Sequence, residues 1–190
     1  DGQKVSTNEM GELVMRKSSI GLTKSLWNDD KRYIDNYWSV IKDYWVHGDL
    51  ASRDADGHWY LHGRSDDTIK VSGKRIGPSE LESVIVKSGK AKEVAAVGIP
   101  DENKGSKIIL SIVPAENNDQ KESFFEDLVI KDLGKSFKPD KVIFVKDLPK
   151  TRNMKIMRRV IKSCLANQDP GDLSTLLNPE SVEEIRSHAI

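Results

Sequence analysis

Three short clusters of polar and charged residues are the parts of this sequence that could do chemistry. The first is His47-Gly48-Asp49, at the end of a predicted strand. Glycine lets the backbone come close to a ligand, and a carboxylate can accept hydrogen bonds from two hydroxyl groups at once. Asp49 therefore suits the neighbouring hydroxyls of a ribose, although a Gly-Asp pair after a strand is more often simply a turn.

The second cluster is dense in glycine, charge and β-branched residues and extends from residue 63 to residue 82. It predicts a hinge, then a rigid hairpin that offers backbone amides, then a helix. Arg64 and Arg75 provide planar guanidinium groups that can bind phosphate or ribose oxygens. The cluster has neither the spacing of a Walker phosphate loop nor a Rossmann fingerprint. On composition alone, a solvated charged hairpin is the simpler explanation.

The third cluster, residues 148–159, is a loop that starts near a proline and runs into a basic helix. A lysine on such a loop can place a compact, mobile ammonium group against developing negative charge on carboxylate or phosphoryl oxygens. Two plainer alternatives remain, a soluble helix and a basic nucleic-acid- or phosphate-binding module. That module would use Lys150, Arg152, Lys155, Arg158 and Arg159.

Charge and composition narrow the classes of partner. The 30 Lys and Arg residues balance the 30 Asp and Glu residues, so no overall field favours DNA or an anionic membrane. No apolar stretch approaches the roughly 18 residues of a membrane span. The single cysteine, Cys164, excludes an internal disulfide framework and fits a reducing compartment. We therefore expect a cytoplasmic protein with no nucleic-acid partner and no membrane partner.

Short strands and helices must position the three clusters, and their alternation predicts an α+β fold. β-branched runs and turn residues indicate the strands, and apolar residues at 3.6-residue spacing indicate the helices. All four Trp and all four Tyr residues precede Arg64, so we expect a domain boundary directly after it. The predicted strands are residues 12–15, 44–50, 58–63, 93–99, 107–113 and 142–145, with a hairpin over 68–76. The predicted helices are residues 29–38, a helix from residue 78, residues 124–133, and a last helix at residues 157–166.

Taken together and in this order, the clusters resemble the motifs of the adenylate-forming enzymes. This superfamily includes acyl-CoA synthetases, luciferases and peptide-synthetase adenylation domains. Gly48-Asp49 matches the aromatic-x-x-Gly-Asp motif, and residues 63–82 match the hinge motif G-R-x-D-D-x-I-K-x-x-G-x-R-I. Residues 149–155 match P-K-T-x-x-x-K. The tail at residues 171–182 is similar to that of acetyl- and propionyl-CoA synthetases.

The resemblance implies the carboxyl-terminal hinge and mobile lid of an ATP-dependent, AMP-forming acyl-CoA synthetase. Residues 1–64 would be the β-rich terminal part of a large amino-terminal domain, and residues 65–190 a lid with a small mixed sheet flanked by helices. Such an enzyme forms an acyl-adenylate and pyrophosphate from a small carboxylic acid and ATP. The lid then rotates, and CoA attacks the adenylate to release AMP. The chain alone would be an incomplete, inactive enzyme whose partner is the missing amino-terminal domain. An adenylating enzyme that does not use CoA is the alternative.

The resemblance also implies roles for residues on the nucleotide side. Asp49 and Arg64 would hold the ribose hydroxyls of AMP, and Arg75 would approach the nucleotide phosphate. Asp66 would be the hinge residue about which the lid turns. Mg²⁺ would accompany the nucleotide in the full-length enzyme.

Two further sites follow from the resemblance. Ser72 and Gly73 would line the CoA tunnel after the lid has rotated, and Lys155 would be the catalytic lysine of the first step. A lysine on an exposed loop is also a target for regulatory acetylation, which would remove its charge. We therefore expect a protein acetyltransferase as a partner that acts on Lys155.

Two departures from the family pattern change the expectations. The family usually has Ser-Gly or Thr-Gly just before the catalytic lysine, whereas this chain has Asn153-Met154 and should have a stiffer loop. The family's metal position after the hinge helix includes a histidine, and residues 86–91 contain none. We therefore predict no metal bound by this chain.

Overall fold

The computed structural model describes residues 2–116 and 119–190, which form two compact units. The units are Asp1–Asp66 and Asp67–Ile190. The division lies between Asp66 and Asp67 rather than directly after Arg64. Ser65 belongs to the first unit because its N–H donates to the Gly48 carbonyl at 3.0 Å and its hydroxyl donates to Glu12 at 3.1 Å.

The first unit is built on a three-stranded antiparallel sheet in the order β1-β2-β3. Its strands are β1 (Gly11–Met15), β2 (Trp45–Arg53) and β3 (Trp59–Arg64). The register of β2 and β3 shifts between Leu50 and Ala51, as at a β-bulge. A bulge changes the direction of side chains at the end of a strand, and this one directly follows Asp49.

Helix α1 (Asp30–Tyr37) belongs to the same unit, and Asp29, the first residue of the predicted helix, is its N-cap. The Asp29 side chain accepts a hydrogen bond from the Arg32 N–H at 3.1 Å, which satisfies an otherwise unpaired amide. Tyr37 stacks on Trp45 of β2 with ring centroids 5.3 Å apart. Aromatic packing therefore fixes the helix beside the strand that carries the first motif.

The second unit contains a two-stranded hairpin and a three-stranded sheet in the order β6-β7-β8. Strands β6 and β7 are antiparallel, whereas β7 and β8 are parallel, so the sheet is mixed. This confirms the predicted α+β fold with a small mixed sheet and helices. The strands are β4 (Ile69–Val71), β5 (Lys74–Ile76), β6 (Ala91–Asp101), β7 (Gly105–Pro114) and β8 (Lys141–Phe144). The helices are α2 (Pro78–Lys87), α3 (Glu122–Leu133), α4 (Arg158–Leu165) and α5 (Glu180–Arg186), with a 3₁₀ turn at Lys135–Phe137.

Two apolar cores lie on the two faces of this mixed sheet because successive strand side chains point to opposite sides. Val94 and Ala96 of β6 belong to the core that includes residues of α2 and α3. Ala95 and Val97 belong to the core that includes residues of α4 and α5. The sheet is therefore buried on both faces and provides a rigid base for the loops at its edges.

The prediction that residues 157–166 form the last helix was wrong, because α5 follows at Glu180–Arg186. A helix of seven residues is unstable alone and depends on tertiary packing. Val182 and Ile185 provide that packing in the core shared with α4. Among residues 2–116 and 119–190, no helix has the length and apolar character that crossing a membrane requires.

Candidate functional site

Asp49 and Arg64 lie opposite each other on β2 and β3. The Arg64 guanidinium lies 3.7 Å from Asp49 Oδ1, and His47 Nδ1 lies 2.8 Å from Asp49 Oδ2. The Asp49 side chain is only 19% exposed, whereas that of Arg64 is 48% exposed. The carboxylate is therefore held between an imidazole and a guanidinium group.

Gly48 allows the Arg64 side chain to lie directly on the backbone of β2. Its φ of +84° is in the left-handed region, and an added Cβ would stand 2.8 Å from Arg64 Nη2. Arg64 Nη1 also donates to the His47 carbonyl at 3.4 Å. Any side chain at position 48 would displace the guanidinium group, which explains the glycine of the first motif physically.

Asp66, the predicted hinge residue, belongs to the same polar network. Arg64 donates from Nε to Asp66 Oδ1 at 3.1 Å and from Nη2 to Asp66 Oδ2 at 3.4 Å. The structure thus brings together Asp49, Arg64 and Asp66, three residues that the sequence assigned to two different motifs.

The hairpin β4–β5 turns at Ser72 and Gly73, as the sequence predicted. Both residues have positive φ, +48° and +80°, which is the requirement of a type I′ turn. The Ser72 N–H donates to the Lys104 carbonyl at 2.8 Å, which anchors the turn. Arg75 is exposed and lies opposite Lys70 in the register, so this hairpin presents a basic face.

Lys155 lies on a closed loop, residues 150–156, which we call the lysine loop. An antiparallel bridge between Lys150 and Ile156 closes its base. Inside it, the Thr151 N–H donates to the Lys155 carbonyl at 2.9 Å, and the Lys155 N–H donates to Thr151 Oγ1 at 3.2 Å. Thr151 therefore holds the backbone of Lys155, whose side chain is exposed.

Met154 occupies a backbone conformation in this loop that favours glycine. Its φ is +61°, and its side chain is 60% exposed. The left-handed region is costly for a residue with a Cβ. The greater stiffness of this loop, expected from Asn153-Met154, stays a prediction.

Comparisons with known proteins show what this chain is similar to. Residues 80–155 match the family model for the AMP-binding enzyme C-terminal domain. Residues 80–155 carry this domain. It is 40% identical over 192 residues to the acetyl-coenzyme A synthetase of Methanothrix thermoacetophila, covering 97% of this chain and 29% of that protein. It is 35% identical over 195 residues to the propionate–CoA ligase of Escherichia coli, covering 97% of this chain and 31% of that protein.

A solved structure supports the fold of the AMP-binding enzyme C-terminal domain and the residues before it. The acetoacetyl-CoA synthetase of Streptomyces lividans matches with a TM-score of 0.85 over 97% of this chain and 29% of that chain. Its identity is 22%, so this match concerns the fold alone. The two relatives confirm the predicted similarity to acetyl- and propionyl-CoA synthetases. The chain spans less than a third of the length of each of these three proteins.

The two lysines of the third motif have opposite environments in this C-terminal domain. Lys150 is 6% exposed, and its ammonium group lies 2.6 Å from Asp147 Oδ1 and 2.7 Å from Glu93 Oε2. Burial lowers the pKa of Lys150, but the bonds to Asp147 and Glu93 outweigh burial and raise it overall. Lys150 is therefore a buried, charged, structural residue, and Lys155 is the exposed one.

The structure gives internal partners to several cations of the basic module that the sequence left open. Lys150 is paired as described, and Arg158 donates to both carboxylate oxygens of Glu82, at 2.9 and 2.6 Å. Burial lowers the pKa of Arg158, but the hydrogen bond and charge of Glu82 raise it overall. Arg159 donates to the carbonyls of Pro170 and Asp172. Three of the five cations of that module are thus bound within the C-terminal domain.

Sequence reasoning missed Asn178, which supports the lysine loop. Its Oδ1 accepts from the Lys150 N–H at 3.0 Å, and its Nδ2 donates to the Leu148 carbonyl at 2.8 Å. The two partners lie 28 and 30 positions away in the sequence. No local pattern signals such a contact, and an asparagine beside Pro179 is typical of a turn.

One group of metal-ligand side chains occurs among the described residues. Asp54, Asp56 and His58 lie at the turn between β2 and β3, with ligand atoms within 4.8 Å of one another. The carboxylate of Asp54 already accepts from the His58 N–H at 2.9 Å and from the Tyr60 hydroxyl at 3.0 Å. These bonds explain the grouping without an ion, and we assign no metal to it.

Proposed function

We propose that this chain is the carboxyl-terminal portion of an ATP-dependent acid–thiol ligase. The enzyme would form an acyl-adenylate from a small carboxylic acid and transfer the acyl group to CoA, with release of pyrophosphate and AMP. The observation that carries the proposal is the contrast between the two motif lysines. Lys150 is buried and paired, whereas the Lys155 ammonium has no ion-pair partner among the residues that the structure describes.

The first step needs positive charge close to a reacting phosphate. A carboxylate oxygen of the acid attacks the α-phosphorus of ATP, and the bond from this phosphorus to the bridging oxygen breaks as pyrophosphate leaves. Negative charge develops on the phosphoryl oxygens and is stabilised by a preorganised cation. An unpaired ammonium on a closed loop fits this role, and we assign it to Lys155.

Nucleotide binding is assigned to Asp49, Arg64 and Arg75. The Asp49 carboxylate can accept from both hydroxyls of a ribose, and the half-exposed Arg64 lies beside it to contact the same group. Arg75 would approach the phosphate from the basic face of the hairpin. Mg²⁺ would enter with the nucleotide, and we assign no residue of this chain to it.

The second step would use the other end of the C-terminal domain. The CoA sulfur attacks the acyl carbon, AMP leaves with the electron pair of the broken bond, and the thiol loses its proton. We assign Ser72 and Gly73 to the CoA tunnel, because the turn is exposed and the position of a Cβ at Gly73 meets no atom within 4 Å. Asp66 would be the pivot between the first unit, the terminal part of the large domain, and the second unit, the lid.

A cellular location and a modification site complete the proposal. We place the enzyme in the cytoplasm, since the chain has a single cysteine, which is buried. We also propose Lys155 as a substrate of a protein acetyltransferase, because its side chain is exposed and its charge is essential to the assigned role.

The test is a measurement of AMP formation by the full-length enzyme from ATP and a series of short carboxylic acids. Acid–thiol ligation requires that AMP form with multiple turnovers only when CoA is present, together with one thioester per AMP. Equal AMP turnover without CoA would favour the alternative, an adenylating enzyme that does not use CoA. No acid-dependent AMP or pyrophosphate would exclude the adenylating class.

A further inference from the structure

The segment after α4 returns to the lysine loop and hydrogen-bonds to its base. Thr151 and Leu176 form an antiparallel bridge, and the Leu177 N–H donates to the Lys150 carbonyl at 2.8 Å. The Lys150 N–H donates to Asn178 Oδ1 at 3.0 Å. Both backbone groups of Lys150 are therefore bound by consecutive residues of the tail.

Asn178 uses both ends of its side-chain amide. It is 7% exposed, and while Oδ1 accepts from Lys150, Nδ2 donates to the Leu148 carbonyl at 2.8 Å and to Asp147 Oδ2 at 2.7 Å. If the amide were flipped, its Nδ2 would face the Lys150 N–H, which is also a donor. Its Oδ1 would face the Leu148 carbonyl and Asp147 Oδ2, which are also acceptors. The partners thus fix the orientation and require an amide, because a carboxylate has no hydrogen to donate to Leu148 or Asp147.

The same contacts connect the loop to the sheet. Asp147 accepts from Asn178 through Oδ2 and from the Lys150 ammonium through Oδ1, and that ammonium also pairs with Glu93 of β6. The backbone entering the lysine loop is therefore fixed from two directions, by the tail and by a strand that is buried on both faces. Inside the loop, hydrogen bonds join Thr151 to residues 154 and 155.

We infer that Asn178 is a positioning residue, which fixes the base of the lysine loop and through it the place of the Lys155 ammonium. A charge that stabilises a transition state must be held in place before the reaction, and a displacement of about 1 Å can cost 100-fold in rate. The consequence for catalysis rests on the proposed function. The consequence for the loop does not, and the two can be measured separately.

The first measurement is amide hydrogen exchange on this chain, which reports the opening of individual hydrogen bonds. The variant Asn178→Ala removes all three side-chain hydrogen bonds, and Asn178→Asp keeps the size but loses both donors. Val182→Ala is the matched control, because it removes packing from the tail helix α5 and leaves the amide contacts intact. Amides of β7, the central strand of the sheet, report global folding.

We expect the Thr151 and Met154 amides to exchange roughly tenfold faster or more in both Asn178 variants. The exchange rates of the sheet amides should be unchanged. Val182→Ala should leave the loop amides near their original rates. The inference is wrong if the loop amides keep their protection in both Asn178 variants, or if Val182→Ala exposes them equally. If Asn178→Ala also speeds exchange of the sheet amides, the inference is judged on the loop amides of Asn178→Asp.

The second measurement separates the inference from the proposed function. In the full-length enzyme, Asn178→Asp should lower kcat for adenylate formation by roughly tenfold or more, with little change in KM for ATP and in thioester formation from supplied acyl-adenylate. If the loop opens but adenylate formation is unchanged, Asn178 positions a lysine that does not act in this step. If the unsubstituted enzyme forms no adenylate, the proposed function fails and the exchange result still stands.

Discussion

Arg158 donates two hydrogen bonds to Glu82, and this pair joins the helix after the hairpin to the helix after the lysine loop. Glu82 Oε1 also accepts from the Ala96 N–H at 2.9 Å, so the carboxylate connects α2, α4 and β6. Glu82 is the last residue of the second cluster, and Arg158 lies within the third. The hairpin and the lysine loop are therefore fixed relative to each other within the second unit.

The variant Glu82→Gln should lower the free energy of unfolding of the second unit by about 1.5–3 kcal/mol, the usual worth of hydrogen bonds to a charged group. Side-chain exposures of 24% for Arg158 and 14% for Glu82 mean that water can replace the lost carboxylate only in part. Glu126→Gln, which removes the partner of the half-exposed Lys138, should cost less than about 1 kcal/mol. Equal costs would contradict the structural role of Glu82.

The measurement must follow the second unit specifically. All Trp and Tyr residues precede Arg64, so Trp fluorescence reports the first unit. Hydrogen exchange of the β6 and β7 amides in increasing urea reports the second.

In the full-length enzyme, Lys155→Ala should slow adenylate formation by roughly 100- to 1,000-fold, because one preorganised charge is lost. Thioester formation from supplied acyl-adenylate should continue. Arg152→Ala is the control, since it removes another exposed cation from the same loop, and it should change both half-reactions by less than about threefold. Pyrophosphate release and thioester formation are measured separately, and an equal loss in both would disprove the role given to Lys155.

The fold was predictable from sequence wherever the signal is local. The β-branched runs of β6 and β7, the Asp29 cap and the Ser72-Gly73 turn each follow from neighbouring residues. The short helix α5 was not predictable, because its stability comes from packing against α4.

The candidate site also has features that the sequence predicts and features that only the tertiary structure shows. The sequence identifies Lys155 as the candidate catalytic lysine through its motif, but it does not show that Lys150, in the same loop, is buried and paired. The difference comes from Glu93 and Asn178, which reach Lys150 from distant parts of the chain. Burial and pairing between distant residues are properties of the tertiary structure and leave no local pattern.

The left-handed conformation of Met154 predicts a contrast between two substitutions. Met154→Ile should destabilise the lysine loop by about 1–2 kcal/mol, because a β-branched side chain is poorly tolerated at positive φ. Met154→Gly should change stability by less than about 1 kcal/mol, since relief of the backbone is offset by greater freedom of the unfolded chain. Hydrogen exchange of the Thr151 and Lys155 amides measures the loop stability of both variants. An equal loss of stability in the two variants would show that backbone strain at residue 154 does not cause it.

Gly48 and Gly73 provide a matched pair with positive φ and different surroundings. Alanine at either position costs about 1–2 kcal/mol of backbone strain. Only Gly48→Ala also places a Cβ against Arg64, at 2.8 Å from Nη2. We expect Gly48→Ala to weaken AMP binding by the full-length enzyme at least about tenfold through displacement of Arg64. Gly73→Ala should leave AMP affinity unchanged in calorimetric titration, and a similar loss in both would contradict the assignment of Arg64.

Asp147 predicts a pH dependence for the second unit. Burial raises the pKa of Asp147, but the Lys150 ammonium and the Leu148 N–H outweigh burial, so the pKa lies below its ordinary value. The unfolded state therefore binds more protons than the folded state between the two pKa values, and stability rises with pH in that window. The contribution of Asp147 is complete above the ordinary pKa of an aspartate and is lost as the pH falls through the folded pKa, which lies below it. In urea unfolding at pH 7, 4 and 3, Asp147→Asn should be less stable at pH 7 and should lose less stability on acidification than the original chain. Asp132→Asn, at an exposed position of α3, should keep the original pH dependence, and an Asp147→Asn curve parallel to that of the original chain would contradict the coupling of Asp147 to Lys150.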